Sequence, residues 1–533
     1  MISAAAWLFA LAPLALLALG LVPSRSADRL PQAMGRLGLA AALAGLASAV
    51  IAAIVVAVLG PVRTGVPGPH GIGPGLDLDA LSVTVLLVVA FIGAIVLAYS
   101  RTYLDGDPGQ GRFLRWLCLT LAAVQLLVVA GSLVQLALAW VLTSVGLHRL
   151  LQFYAERPVA VLAARKKLIV SRAGDACLLA AMLLLLGQFG SLEHAVIRDG
   201  AQALRDAASV PGTVGAAAIF LALAALLKSA QFPLHGWLTE VMETPTPVSA
   251  LLHAGVINAG GFLVLRFADV MVLSAPALTT LAVIGGLTAL FGALVMLTQT
   301  SIKSALAWST VAQMGFMLLQ CGLAAFPAAL LHIVAHALYK AHAFLTSGGA
   351  ASGSRAAGLA DAGGRRLLVG GLLAAVALLV VTLAGQSAGA PGAAVALGAI
   401  LALGLGQLVI AGAARTLLPR ILGLAGLVGL AYALLHGAAA WLASGTLPAP
   451  LAAPSPLLLG LVVAGFAVAS LVPWLLARPG AGALRLALHV HLANGLYVNT
   501  LANRLVLRLW PAPVPRRSNN ASMLATLATG ATP

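Results

Sequence analysis

Charge is what this 533-residue chain has least of. Asp, Glu, Lys and Arg together make up 8% of it, against 61% hydrophobic residues and a mean hydropathy of +1.05. A soluble globular domain carries about 25% charged residues. So few polar side chains cannot cover a water-facing surface, and lipid is the natural solvent for the chain. Cysteine is nearly absent: Cys118, Cys177 and Cys321 each stand alone in an apolar run. Without a CxxC pair, neither a thiolate-held cluster nor a disulfide framework fits, and the three read as small buried hydrophobes. Catalytic signatures are lacking too. There is no phosphate-cradling Gly-rich loop after a strand, no HExxH, and no GxSxG in a credible setting. Acidic residues number 14 against 30 basic ones, for a net charge of +16. Nucleic acid is excluded as a partner, because the basic residues are scattered over many short loops rather than gathered on one domain.

Long apolar runs, by contrast, fill the chain. A spanning helix needs about 20 mostly apolar residues, and about 15 segments qualify. They lie near 4–22, 37–60, 78–99, 113–130, 133–151, 168–187, 213–232, 248–270, 277–298, 303–322, 327–347, 367–385, 393–414, 421–442 and 456–477. The first reads as a retained helix rather than a signal peptide, because its basic residues, Arg25 and Arg29, follow the apolar run instead of preceding it. Placing the N-terminus outside puts 24 of the 30 Lys and Arg on the cytoplasmic side, leaving Arg63, Arg198, Arg205 and Arg266 outside and Lys228 and Lys340 within spans. The positive-inside rule therefore sets the N-terminus outside and the C-terminus in the cytoplasm. The 57 glycines, spread through the spans, permit close helix packing. After the last span, Leu484–Trp510 mixes apolar residues with Arg485, His489, His491 and Arg504, and reads as a cytoplasmic docking segment of ambiguous period. The tail beyond Pro511 is rich in Ser, Asn, Ala and Thr and reads as disordered.

Ionisable groups inside spans are costly and mark an ion path by default. Lys228 closes the apolar run Ala216–Leu227 and is followed by Gln231 and Pro233. In low dielectric a lysine gives up its proton more readily, which suits a relay; a lysine snorkelling to the interface is the bland alternative. Thr244-Pro-Thr-Pro247 should break a helix, and the next span carries His253. Broken helices at membrane depth are tolerated where they line a polar cavity. His332, His336 and Lys340 recur every four residues along one helix face, with His342 on another. Histidine titrates near neutrality, so the stripe looks like a proton wire. The HxxxH spacing also suits a metal, but zinc needs further ligands and the adjacent lysine opposes a cation; structural histidines within a bundle are the other alternative. Asp175 could pair with Arg172 or serve Lys228. Glu240 and Glu243 flank the broken stretch, either as auxiliary groups or simply solvated.

These motifs resemble a known family. Lys228-Ser-Ala-Gln-Phe-Pro-Leu-His-Gly-Trp237, Thr244-Pro-Thr-Pro-Val-Ser-Ala-Leu-Leu-His253, Gln299-Thr-Ser-Ile-Lys303 with Ala307-Trp-Ser-Thr-Val-Ala-Gln-Met-Gly315, and the run from His332 to Gly348 are similar to the antiporter-like subunits of respiratory NADH dehydrogenase and of Mrp cation/proton antiporters. The resemblance covers roughly Val83 to Arg415. It implies an all-α integral membrane protein with two inverted repeats, each with a broken helix. It divides the chain into N-terminal transmembrane helices (1–112), an antiporter-like core (113–415), C-terminal transmembrane helices (416–480) and a cytoplasmic docking segment with its tail (481–533). It makes Lys228 the channel lysine, His253, His332 and His336 relay histidines and Lys340 a connecting lysine. Asp175 joins this path, with Lys303, His342, Glu240 and Glu243 as auxiliaries. No resident metal or cofactor is implied.

The chain departs from the family where a glutamate usually partners the channel lysine. In Leu142-Thr143-Ser144-Val145-Gly146-Leu147 that position holds Thr143. The second broken helix, expected at Thr382–Ser387, has no charge, and the long lateral C-terminal helix of the respiratory subunit is missing. His148-Arg-Leu-Leu151, Ala163-Ala-Arg-Lys-Lys167, Ser171-Arg-Ala-Gly-Asp175, Leu252-His-Ala-Gly-Val-Ile-Asn258 and Asn494-Gly-Leu-Tyr497 resemble the DabB branch of the family. That branch implies a bacterial inner-membrane subunit that couples H+ or Na+ to inorganic-carbon (CO2 or bicarbonate) uptake. Its expected partner is a large cytoplasmic, zinc-binding, carbonic-anhydrase-like DabA subunit, which holds any catalysis. The basic stretch Arg149 to Arg172 is a candidate dock for it, although positive-inside orientation alone would also account for that stretch. Two other readings stay open: a proton- or sodium-translocating subunit of a respiratory, hydrogenase-linked or Mrp-type complex, and a passive membrane anchor.

Overall fold

The structure, a computed structural model, describes residues 6–66, 68–241, 244–349, 391–412, 418–477 and 482–511. The expected span at 367–385 and the tail after Pro511 lie outside these residues. Every other expected span falls on an observed helix: Ala6–Leu21 (α1), Pro31–Leu59 (α2), Ala80–Tyr103 (α3), Gln110–Val128 (α4), Leu133–Leu151 (α5), Pro158–Phe189 (α6), Gly212–Lys228 (α8, after the amphipathic α7, His194–Asp206), Thr246–Ala254 (α10) with Ala259–Arg266 (α11), Ala275–Met296 (α12), Ile302–Gly322 (α13), Phe326–Leu345 (α14), Pro391–Gly412 (α15), Leu418–Ala443 (α16) and Pro456–Ala477 (α17). A single turn, Gly236–Thr239, is α9. Among the described residues, 10 helices are long and apolar enough to cross a membrane.

The packing is that of a lipid-embedded bundle. Helix α2 buries Gly38, Ala42, Gly45, Ala49 and Ala52 and exposes Leu43, Ile51, Ile54 and Val58. Small residues inside and large apolar ones outside suit lipid, where close van der Waals approach rather than hydrophobic burial drives association. Helices α12 and α13 are pressed together on this principle. A Cβ at Gly315 would stand 2.5 Å from the Ala289 nitrogen, and one at Gly322 would stand 2.3 Å from the Ala282 nitrogen, so neither position tolerates a side chain without the backbones separating.

Thr244 and Pro245 stand outside any helix, as expected, and the span that carries His253 begins at once at Thr246. Pro245 is the N-cap of α10 and Pro247 lies in its first turn. Proline is tolerated there because the missing N–H would have had no intrahelical acceptor. The interruptions lie on either side. One follows Lys228, where the chain runs irregularly to His235 with Ala230 at φ +49°. The other is the 3-10 turn Val256–Asn258, which separates α10 from α11 directly after His253.

The ambiguous C-terminal segment is helical, as Gly482–Ala493 (α18) and Val498–Leu509 (α19). An unforeseen element is a short antiparallel hairpin between α2 and α3, Val62–Gly65 (β1) and Gly75–Leu78 (β2), with Arg63 opposite Asp77. It carries the charged cluster that anchors this end of the bundle. Arg266, expected in an exterior loop, is buried. Its Nη1 reaches Asp79 Oδ2 at 2.7 Å and Asp77 Oδ2 at 3.3 Å. Burial alone would raise the Asp79 carboxyl, but Arg266 and the Ser82 hydrogen bonds hold it below its ordinary value. A carboxylate lowered in the folded state adds stability above its unfolded pKa, and that stability is lost as the pH falls through the folded value. Removing one partner of such a buried pair costs about 3–5 kcal/mol. Arg266→Ala should therefore lower the unfolding temperature of the detergent-purified protein by several degrees at pH 7, with a smaller deficit in strong acid. An unchanged melting profile would show that the pair is not structural.

Candidate functional site

The first polar cluster forms where α5, α6 and the end of α8 meet. Lys228, 8% exposed, donates to Ser144 Oγ at 3.1 Å and to the Trp140 carbonyl at 3.3 Å. Its ammonium also sits 4.2 Å from the centroid of the Trp140 ring, a cation–π contact. The Trp140 indole N–H donates to Asp175 Oδ1 at 3.1 Å, and Asp175 Oδ2 pairs with Arg172 at 2.8 Å. The two roles that the sequence left open for Asp175 thus coexist: it is ion-paired to Arg172 and linked to Lys228 through one indole ring. Thr143, at the position of the missing carboxylate, turns its hydroxyl back to the Ala139 carbonyl at 2.8 Å and offers the lysine no charge.

The second cluster lies on α10 and α14. His336 Nε2 bonds the His253 carbonyl at 3.0 Å; a carbonyl only accepts, so Nε2 carries the proton and Nδ1 is the free lone pair. That carbonyl belongs to the last turn of α10, where a helix leaves carbonyls without an internal partner. The His253 ring is fully buried, stacks on Phe344 at 4.4 Å and hydrogen-bonds through neither nitrogen. His332 and His336 rings lie 5.9 Å apart, and Lys340, fully buried, donates to the Leu306 carbonyl at 3.0 Å. The turn Val256–Asn258 divides the two clusters. Val256 and Ile257 line a small cavity with Lys228 and Ser144, while Asn258 lines a second one with Ile333 and Ala337 of α14.

The remaining expected residues stand apart. Lys303 donates to Thr246 Oγ1 at 3.2 Å, and His342 is exposed at the end of α14. Glu243 lies outside the described residues. Glu240 is not a free solvated carboxylate: it pairs with Lys166 and accepts from Asn499 and from Asn503, the latter at 2.8 Å. The basic stretch is likewise no open dock at its centre, since Arg165, Lys166 and Lys167 are all buried. Arg165 donates to the Trp510 carbonyl at 2.8 Å and stacks over the Trp510 ring. Lys166 donates to Asn499 at 2.6 Å, and Lys167 donates to the Ser144 carbonyl at 2.6 Å. The chain's own C-terminal helix covers this surface. Sequence reading missed Lys167, Trp140 and Ser144 as site residues. Their signal was the spacing of Trp140 and Ser144, four apart and so on one face of α5.

Comparison with known proteins adds the context. The model of the NADH:quinone oxidoreductase/Mrp antiporter transmembrane family matches residues 130–418, and that of the complex I chain 5 N-terminus matches 68–114. A protein of Halothiobacillus neapolitanus, named "Probable inorganic carbon transporter subunit DabB2", is 42% identical over 84% of this chain and 83% of its own length. A "Probable inorganic carbon transporter subunit DabB" of Hydrogenovibrio crunogenus is 47% identical over 52% of this chain and 53% of its own. Among solved structures, the Mrp complex of Dietzia sp. superposes with a TM-score of 0.58 at 24% identity, over 98% of this chain and 59% of that one, a likeness of fold.

The clasp around Glu240 is open to test. Glu240→Ala removes the acceptor shared by Lys166, Asn499 and Asn503. Limited trypsin digestion should then cut at Arg504 and Arg508 several-fold faster than in the wild type. Equal rates would show that α19 is held by other contacts.

Proposed function

We propose a function from one premise: the chain belongs to the NADH:quinone oxidoreductase/Mrp antiporter family of membrane subunits. It is a multi-pass membrane protein. Within that family it acts as the ion-coupling subunit, for H+ or Na+, of an inorganic-carbon uptake complex in the bacterial inner membrane. The observation that carries this reading is the pair of polar clusters inside the bundle, Lys228 with Ser144 and Trp140, and His253, His336 and Lys340 with the half-buried His332 beside them. Ionisable groups at such depth are costly and mark ion pathways. The carbon-uptake part is supported by the relative whose printed name is that of an inorganic carbon transporter subunit and which matches over most of both chains.

In this mechanism Lys228 binds and releases a proton while Ser144, Trp140 and the Trp140–Asp175 link stabilise its charged form. The interruption after Lys228 and the turn Val256–Asn258 let the charge pass at membrane depth, because irregular backbone there lines cavities rather than lipid. His253, His336 and His332 carry it on, with Lys340 and Asp175 on the same path. The orientation keeps the N-terminus outside and the C-terminus cytoplasmic, which follows from the distribution of Lys and Arg. Proton movement then biases a large cytoplasmic zinc-binding subunit of the carbonic-anhydrase type, where the chemistry on CO2 takes place; this chain is not itself an enzyme.

Lys228→Ala should abolish inorganic-carbon uptake in cells that depend on it, while the tagged subunit still assembles in the membrane. Retained uptake would sink the channel assignment. Gentle purification followed by mass spectrometry should bring down one large soluble zinc protein. A set of flavin, iron–sulfur or other antiporter-like subunits would instead move the chain to a respiratory or Mrp-type complex.

A further inference from the structure

We infer that Lys167 is a second ion-carrying group of this pathway, and that Lys167 and Lys228 hold one proton between them. The inference rests on the reading of Lys228 as the channel lysine. Its geometric basis is convergence. Lys167 from α6 and Lys228 from the end of α8 end on the same residue of α5, the first at the Ser144 carbonyl and the second at the Ser144 hydroxyl. Both side chains line the same small cavity, together with Ser171 and Ile257. Both are buried.

The neighbouring carboxylates are already engaged. Asp175 is taken by Arg172 and the Trp140 indole, and Glu240 by Lys166, Asn499 and Asn503. Among the described residues, no ion pair joins a carboxylate to Lys167 or to Lys228. The other charged or titratable groups near them are His148 of α5 and Arg172 of α6, neither of which adds negative charge. Two full ammonium charges facing one serine through neutral oxygens oppose each other, as two carboxylates do when they share a site. Such a pair titrates as a unit, with the second proton bound far more weakly than the first. Where the family sets a lysine against a glutamate, this chain sets a lysine against a lysine. Charge is balanced by leaving one amine neutral rather than by an anion.

The test uses the complex as purified from its native membrane, reconstituted in vesicles with a pH-sensitive dye inside. Ion flux is measured over a pH series for the wild type and three variants. Lys167→Gln replaces an amine that is already neutral whenever Lys228 holds the shared proton, so the midpoint should stay near the wild-type value while flux falls, because the proton has no second amine to pass to. Lys167→Arg makes the opposing charge permanent, so the midpoint should fall. A lysine that only braces α6 would lower flux at every pH in both variants and leave the Lys167→Arg midpoint at the wild-type value, and that outcome overturns the inference. Lys228→Gln separates the two claims: loss of its flux with an unmoved Lys167→Arg midpoint rejects the pair alone, and retained flux rejects the Lys228 reading on which the pair depends.

Discussion

An amine that must carry a proton inside an apolar bundle has to be met by oxygen, and the centre of this molecule is arranged around that need. Moving a bare ammonium from water into low dielectric has an effective cost of several kcal/mol. Here the oxygens are neutral: the Ser144 hydroxyl, the Trp140 carbonyl and, for Lys167, the Ser144 carbonyl. The nearest carboxylate acts at one remove, through the Trp140 ring, which presents its face to the ammonium and its N–H to Asp175. Held this way, each lysine is met by neutral oxygens and is not locked in a salt bridge with a carboxylate.

The lysines take the second lone pair of carbonyls inside continuous helices, Trp140 and Ser144 of α5 and Leu306 of α13. Interrupted backbone adds further acceptors. The interruptions at Ser229–His235 and Val256–Asn258 supply what a straight span would not. The first ends α8 directly after Lys228. The second leaves the His253 carbonyl to receive His336 and parts the two cavities. Irregular backbone at this depth is affordable only where protein covers it, and α10 and α11 are the most completely buried of the spans, at 94%.

How much of this could be read in the sequence depended on distance along the chain. The spans were legible because lipid imposes length and composition locally. The stripe His332, His336, Lys340 was legible because four-residue spacing fixes a helix face without knowledge of its neighbours. The break at Thr244–Pro247 was legible because proline excludes a helix interior but is tolerated at a helix start, where the span that carries His253 begins. The hairpin was missed because two four-residue strands among glycines carry almost no periodic signal. Arg266, Glu240 and the Arg165–Lys167 run looked like loop charges because the groups that bury them come from far away; Lys166 and Asn499 are 333 positions apart. No spacing rule reaches that far.

The run Arg165-Lys166-Lys167 shows why such contacts matter to the site. Successive residues on a helix point about 100° apart, so one turn of α6 can face three directions. Arg165 grips the end of α19 through the Trp510 carbonyl, Lys166 joins α19 to Glu240 in the segment that follows Lys228, and Lys167 enters the lysine centre. These contacts share a single rigid element. Helix α19 is thus joined to α6 through Arg165 and Lys166 and to the chain after Lys228 through Glu240, and Lys167 and Lys228 both end on Ser144.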